Sequence, residues 1–88
     1  MFSIEFSKEL TRKLEKIKKK DRELFEAVLR KVKEIESNPS GYKPLRYDMK
    51  GYFRVHVMKS FVLIFKIGAQ SKTIIFEDLD HHDRIYKT

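Results

Sequence analysis

A guanidinium and an imidazole stand two residues apart in the segment 51–66, at Arg54 and His56. The segment reads GYFRVHVMKSFVLIFK, two runs of alternating and β-branched residues with a break at residues 59–60, which is typical of a β-hairpin. Tyr52, Arg54 and His56 share one face of the first run, and the apolar residues between them share the other. We expect the apolar face to join a core and the polar face to carry chemistry, since a rigid strand holds functional groups accurately.

More ionisable side chains follow a predicted last strand, 73–79, and can lie near that polar face: His81, His82, Arg84 and Tyr86. The combined imidazole, guanidinium and phenol groups suit RNA cleavage by its own 2′-hydroxyl. A base removes the 2′-proton, cations stabilise the pentacoordinate phosphate, and an acid protonates the leaving 5′-oxygen. The reaction needs no metal and no other cofactor. Each residue also has a structural interpretation, as a solubility or packing residue, and their joint occurrence around one face favours the functional one.

The three histidines, His56, His81 and His82, leave a metal site as a less favoured alternative. Adjacent histidines on a strand point in different directions, and no acidic residue has the spacing of a further ligand. A Gly-rich phosphate loop, a serine nucleophile elbow and a glycosidase-like carboxylate pair are also missing from the sequence. The residues therefore favour a site without metal.

The net charge of +7, from 20 Lys and Arg against 13 Asp and Glu, favours a polyanionic partner. A Lys/Glu-rich solvated surface is the alternative. The segment 42–66 holds six bases against one acid, interleaved with tyrosines that could stack on unpaired bases. The residues predicted to bind RNA are Lys43, Arg46, Lys50, Tyr52 and Lys59. The lysine triplet at 18–20 is interpreted first as a solvated helix end, and otherwise as a phosphate contact.

Eighty-eight residues leave room for one domain, which we expect to span 1–88. The absence of cysteine excludes disulfides and thiolate metal sites and favours a reducing compartment. The sequence begins without a signal-peptide pattern and has no apolar run of membrane-spanning length. We therefore expect a cytoplasmic protein that does not enter membranes.

The hydrophobic pattern predicts an α+β fold with the order β-α-α-β-β-β. Residues 2–6 alternate as a short strand, Ser7 can cap a first helix, and Asp21 can cap a second that ends at residues 37–39. The last three strands should pair as an antiparallel meander. The helical hairpin should cover one face of the sheet, which leaves the face of Arg54 and His56 open. Residues 38–50 read as a loop and 68–71 as a turn.

Two strings of this sequence resemble motifs of the RelE/ParE superfamily of type II toxin–antitoxin toxins. The string KPLRYDMKGYFRVHV at 43–57 resembles the family's loop-to-strand signature, and HHDRIY at 81–86 resembles its closing motif. The resemblance covers nearly the whole chain. It implies a compact microbial-RNase-like fold, inhibition by a cognate antitoxin, and, in RelE-type members, cleavage of mRNA in the ribosomal A site.

The resemblance also implies roles for individual residues. Arg54 and His56 match the strand on which RelE-like toxins place groups for phosphate stabilisation and proton transfer. Tyr86 matches the tail tyrosine that orients the substrate base, while Arg46 and Lys50 match the basic loop that approaches RNA.

Two positions depart from the family pattern. Val62 stands where RelE-like toxins usually have an arginine, and His82 takes the place of the usual tail arginine, with Arg84 two residues on. These changes indicate either an active site centred on histidines or a weakened toxin. In the first case His56 and His82 transfer protons, Arg54 and Arg84 stabilise the phosphate, and Tyr86 positions the base.

Three functions therefore remain open. The first is a ribosome-dependent mRNA endoribonuclease. The second is a ParE-like inhibitor of DNA gyrase that hydrolyses nothing, and the third is a catalytically weakened toxin that only binds RNA and antitoxin. In each case we expect an acidic, amphipathic antitoxin that wraps the helices and the basic face. The free chain should be a monomer, and a heterotetramer with antitoxin is the expected complex.

Overall fold

The computed structural model of the chain describes residues 2–39, 43–44, 51–68 and 70–86, with the side chains of 43–44 and 85–86 excepted. It contains the predicted helical hairpin and meander, together with a short C-terminal helix. The elements are β1 (Ser3–Phe6), α1 (Lys8–Lys20), α2 (Arg22–Ser37), β2 (Lys43–Pro44), β3 (Tyr52–Val57), β4 (Phe61–Gly68), β5 (Thr73–His81) and α3 (His82–Tyr86).

Both long helices begin at the predicted caps. The Ser7 hydroxyl accepts a hydrogen bond from the backbone N–H of Leu10 at 3.0 Å and donates one to the carbonyl of Glu77 at 2.6 Å. The Asp21 carboxylate accepts the N–H of Leu24, and this single residue separates α1 from α2. Such caps satisfy N–H groups that have no partner within the helix. The short connection confirms the antiparallel hairpin.

The sheet has five strands in the order β1-β5-β4-β3-β2. β3, β4 and β5 form the predicted antiparallel meander. β1 adds to the free edge of β5 and runs parallel to it, which the sequence did not indicate. That register sets Ile4 beside Ile74 and Phe6 beside Phe76, so the apolar residues of β1 extend the apolar row of β5. β2 pairs with β3 inside the segment predicted as loop, the rest of which (40–42, 45–50) lies outside the described residues.

The core lies between the helical hairpin and one face of the sheet. Its fully buried side chains come from both layers, for example Leu10 and Val28 from the helices and Phe65 and Phe76 from the strands. The rings of Phe65 and Phe76 are 5.8 Å apart between centroids. Truncation of a buried phenylalanine such as Phe65 to alanine costs about 3–5 kcal/mol. The core therefore holds the sheet rigid beneath whatever its second face carries.

A shift in the pairing of β4 with β5 decides which residues of β5 reach that second face. Phe65 pairs with Phe76, but the preceding Ile64 pairs with Asp78, so Glu77 is an extra residue on β5. An extra residue reverses the alternation of side chains beyond it. Asp78 therefore lies across from Ile64, and its acidic side chain avoids the core.

The second face of the sheet is less open than the sequence suggested. Val62 is fully buried and Ile64 nearly so, and Tyr52 packs against both. This small apolar cluster covers the middle of the face. The accessible part lies at the end of β3 and β5, where His56 and the C-terminal helix meet.

Candidate active site

The structure brings His56 and His82 together, although 26 positions separate them in the sequence. Their rings stack with centroids 5.4 Å apart and planes inclined by 22°. His56 stands on β3, and His82 is the first residue of α3. The backbone N–H of His82 donates to the carbonyl of Ser60 at 2.7 Å, which fastens α3 to the turn between β3 and β4. A strand and an anchored helix thus hold the two imidazoles in place.

An open cleft of about 320 Å³ surrounds the histidine pair. Both histidines are exposed, so a ligand can reach them. The predicted RNA-binding residue Lys59 lines the cleft from the turn between β3 and β4. The cleft is lined by His56, Lys59, Ser60, His81, His82 and Asp83.

His81 and His82 behave differently, as the sequence predicted for adjacent histidines. The ring of His81 packs against Phe61, with centroids 4.6 Å apart, while that of His82 turns to His56. Asp83 lies 3.8 Å from Nδ1 of His82, but its carboxylate is almost fully exposed to water. Such a contact contributes little energy. A ligand in the cleft can therefore contact the imidazoles of His56 and His82 at once.

The two arginines predicted for the site occupy different surroundings. Arg54 lies on the same face of β3 as His56, two residues away, and is half-buried across from Ile64. Arg84 lies in α3 with its side chain mostly exposed, and its Nη1 is 3.7 Å from Oδ1 of Asp80. This exposed contact contributes little energy, so Arg84 stays accessible to a ligand.

Lys13, Asp78 and Asp80 were not among the predicted site residues. The ammonium of Lys13 reaches from α1 around the edge of β5, donates to Oδ1 of Asp78 at 2.6 Å and to the carbonyl of Leu79 at 3.1 Å, and lies 3.6 Å from Asp80. Partial burial lowers the pKa of Lys13, but the hydrogen bond and charge of Asp78, together with the charges of Asp80 and Glu9, raise it by more, so the net shift is upward. Lys13 thereby neutralises carboxylates on the face that carries His56.

A signal for these carboxylates is present in the sequence of the last strand. Ile74 and Phe76 are two apart, but the next apolar residue, Leu79, is three further on. Such a change in spacing indicates an extra residue in the strand and turns Asp78 and Asp80 away from the core. Nothing comparable in the sequence points to Lys13, since the reach of a side chain from α1 depends on how the helix packs.

The remaining predicted RNA-binding residues are less well placed or lie outside the description. Tyr52 is four residues from His56 on the same strand, about 13 Å away by strand geometry, and Lys66 Nζ lies 5.4 Å from the centroid of its ring. Arg46, Lys50 and the side chains of Lys43 and Tyr86 lie outside the described residues. The backbone of position 43 pairs with Arg54, which brings β2 to the edge of this face.

In the part of the chain that the structure describes, no three acidic, histidine or cysteine side chains are grouped so that they could hold a metal ion. The same part contains no helix with the length and apolar character that crossing a membrane requires.

The fold is that of known bacterial toxins. A YoeB/ParE toxin from Agrobacterium tumefaciens superposes with a TM-score of 0.82 at 14% identity, over 92% of this chain and 99% of that one. The RelBE2 toxin–antitoxin complex of Mycobacterium tuberculosis contains a chain that matches with a TM-score of 0.76 at 22% identity, over 92% and 98% of the two chains. The α+β fold with a helical hairpin on an antiparallel meander is therefore the RelE-like fold that the sequence motifs implied.

Sequence comparison defines the family. The chain is 46% identical over 87 residues to the protein named "Putative toxin RelE4" of Methanocaldococcus jannaschii, over 99% of this chain and 93% of that one. Residues 4–86 match the family described as the ParE toxin of type II toxin–antitoxin systems, parDE. The chain belongs to this family, and it is a toxin of a type II toxin–antitoxin system within the RelE/ParE superfamily.

Proposed function

We propose that this toxin is a metal-independent endoribonuclease that cleaves mRNA on the translating ribosome. The observation that carries the proposal is the stacked pair of His56 and His82 in an open cleft, 5.4 Å apart between ring centroids. Two imidazoles at one cleft supply the base and the acid that 2′-hydroxyl attack requires. The cations expected around them favour a polyanionic substrate.

In this mechanism one imidazole of the pair takes the 2′-proton and the other protonates the departing 5′-oxygen. The phosphate gains negative charge at the pentacoordinate stage, and Arg54, Arg84 and Lys59 stabilise it. Tyr86 orients the base beside the cut. Only the form with one neutral and one protonated histidine is active, so the cleavage rate should pass through a maximum as the pH is varied.

The ribosome would present mRNA to the toxin as an ordered single strand. The histidine pair is open to solvent and Lys59 lies in an exposed turn, so these described residues alone do not fix the course of a flexible RNA. Holding the reacting groups in line contributes a large share of a rate enhancement. We therefore expect fast cleavage only where the ribosome fixes the mRNA.

An antitoxin is the expected protein partner. Solved relatives of this fold include the RelBE2 toxin–antitoxin complex of Mycobacterium tuberculosis and a heterotetrameric YoeB–YefM toxin–antitoxin complex of Staphylococcus aureus. The net charge of +7 suits an acidic antitoxin. We propose that a cognate antitoxin covers the cleft and that the complex is a heterotetramer.

Inhibition of DNA gyrase without hydrolysis is the second candidate. Two observations favour it: the matching family is described by its ParE toxins, and Val62, buried on the face of His56, supplies no cation. A toxin of this kind would arrest replication and leave mRNA intact. A DNA supercoiling assay with purified gyrase distinguishes it from the nuclease.

The proposal is tested by primer extension on a reporter mRNA in a translation extract, with the purified toxin freed from its antitoxin. We expect cuts at fixed positions within codons, and none when initiation is blocked before the toxin is added. Intact mRNA in an actively translating extract contradicts the nuclease. If purified gyrase then fails to supercoil DNA at the same toxin concentration, this result supports the gyrase candidate.

A further inference from the structure

A row of cations lies on the outer face of α1, away from the histidine cleft. Arg12, Lys16 and Lys19 are spaced by four and then three residues, which places them on one side of the helix. The buried residues Leu10 and Leu14 occupy the opposite side and face the sheet. All three cations are exposed. We call Arg12, Lys16 and Lys19 the α1 ridge; it lies on the far side of the sheet from His56.

The α1 ridge is strongly positive because little compensates it. It borders two shallow depressions of about 200 and 540 Å³. Their linings contain five basic residues and one acid, namely Arg12, Lys16, Lys18, Lys19, Arg22 and Glu15. Within the described residues the ridge cations take part in no ion pair, whereas Arg22 contacts Glu26 at 3.6 Å. The charge of the ridge is thus available to a partner.

The spacing of the ridge fits a chain of phosphates. A helix rises 1.5 Å per residue, so the three cations are offset by about 6 and 4.5 Å along its axis. Each step is between one and two times the ~3.4 Å that separates phosphates of one strand along the axis of a duplex. A straight row of point charges can therefore contact neighbouring phosphates at once, without any change in the helix.

The ridge has no group that could read or stack on a base. Binding of single strands relies on exposed aromatic rings. Phe25, at the start of α2, is half-buried, and the ammonium of Lys18 lies 5.8 Å from its ring centroid. An amphipathic protein segment would need an apolar groove, but Leu10 and Leu14 of α1 are buried in the core. The ridge side chains themselves are all charged, and a double helix exposes its phosphates while its bases are paired.

We propose that the α1 ridge is a second RNA-binding surface, which docks on the phosphate backbone of double-helical RNA. This surface lies behind the sheet, so the chain can hold a folded RNA with its helices while the histidine cleft takes a single strand. The docking depends on backbone charge and not on cleavage. It therefore goes beyond the proposed nuclease and stands or fails separately.

The test measures binding of a blunt 20-base-pair RNA duplex of mixed sequence by fluorescence anisotropy over a series of salt concentrations. The protein is the full chain with His56→Ala and His82→Ala, so that RNA stays intact. The ridge variant adds Arg12→Gln and Lys19→Gln. The control adds Arg30→Gln and Lys33→Gln instead, which removes the same charges from exposed positions of α2. A second ridge variant, Lys16→Gln with Lys19→Gln, serves if the first fails to fold by circular dichroism.

We expect the ridge variant to bind the duplex at least about tenfold more weakly at 0.1 M salt. The plot of the logarithm of the association constant against the logarithm of the salt concentration should also become less steep, by about two units of slope. The control should change affinity by less than about twofold. Equal weakening in ridge and control variants, or no weakening in either, overturns the proposal. The same variants are also tested with a single-stranded RNA of the same length and with poly-glutamate. If the ridge substitutions weaken binding of either ligand more than binding of the duplex, the proposal is overturned in favour of a single strand or an acidic protein.

Discussion

At the scale of single residues, the two adjacent histidines of β5 and α3 have different neighbours in the structure. His82 stacks on His56, whereas His81 packs on Phe61. Their types and neighbours in the sequence are nearly the same, so a difference in activity between them reports on geometry. Substituting each histidine in turn therefore tests the proposed role of His82 against that of a histidine with a different ring contact.

We predict that His82→Ala lowers the rate of mRNA cleavage by about 10²–10⁴-fold, the usual contribution of a general acid or base. His81→Ala should lower it much less, because the ring of His81 lies against Phe61. The measurement is the single-turnover rate in a translation extract. Equal losses in the two variants would mean that the stacked pair is not the proton-transfer machinery.

Lys13 offers a second test at this scale. The pKa of Lys13 is raised above its ordinary value of 10.5. The charged side chain therefore contributes its full stabilisation of the fold below pH 10.5, and this contribution is lost only as the pH rises through the raised pKa. We predict that Lys13→Met weakens binding of single-stranded RNA by about twofold to fivefold, since it exposes RNA to the carboxylates of Asp78 and Asp80.

The matched control for Lys13 is Lys33→Met, which removes the same charge from an exposed position on α2. Adding Asp78→Asn and Asp80→Asn to the Lys13→Met chain should restore RNA binding. The readout is fluorescence anisotropy in a His56→Ala background. If the asparagine substitutions fail to restore affinity, Lys13 acts by some means other than neutralising these carboxylates.

At the scale of elements, local patterns in the sequence predicted the helices and the meander. Ser7 and Asp21 are capping residues directly before apolar stripes, so the sequence predicted where α1 and α2 begin. The parallel pairing of β1 with β5 was not predicted, because Ser3 and Thr73 are 70 positions apart and no local signal fixes which edge a strand joins. Contacts of this length are decided by the packing of the whole core.

The site, too, combines features that follow from local sequence patterns with features that depend on contacts between distant residues. The shared face of Arg54 and His56 follows from alternation along one strand and was predictable. The sequence indicated only that His82 can lie near His56. The stacking of the two rings depends on α3 and on the hydrogen bond from His82 to Ser60. The short α3 has no apolar period of its own, since five residues are too few to show one.

Ser7 provides a test of how the elements are joined. Its hydroxyl caps α1 and also donates to the carbonyl of Glu77, the extra residue of β5. We predict that Ser7→Ala lowers the free energy of unfolding by about 1–2 kcal/mol. Ser37→Ala, which removes an exposed hydroxyl at the end of α2, should cost much less. Urea unfolding monitored by circular dichroism measures both, and similar losses would show that Ser7 does not link helix and sheet.

At the scale of the whole molecule, one core separates the histidine cleft from a positively charged helical layer. The cleft with His56, His82 and Lys59 lies on one side of the sheet, and the helical layer with its exposed cations covers the other. An excess charge of +7 on a chain of this size dominates its long-range encounters with anions. Affinity for any RNA should therefore fall steeply between 50 and 200 mM salt, and a shallow dependence would mean that few phosphates are contacted.

The most direct test of the proposed nuclease maps cut sites and product ends on a reporter mRNA in a translation extract, for the native chain and for the His56→Ala, His82→Ala variant. We expect cuts within translated codons, with a 2′,3′-cyclic phosphate and a 5′-hydroxyl at the new ends, because the attacking group is the 2′-oxygen of the RNA itself. The double variant should leave the mRNA intact. Undiminished cutting by the double variant, or intact mRNA with the native toxin, would show that the histidine pair does not cleave RNA.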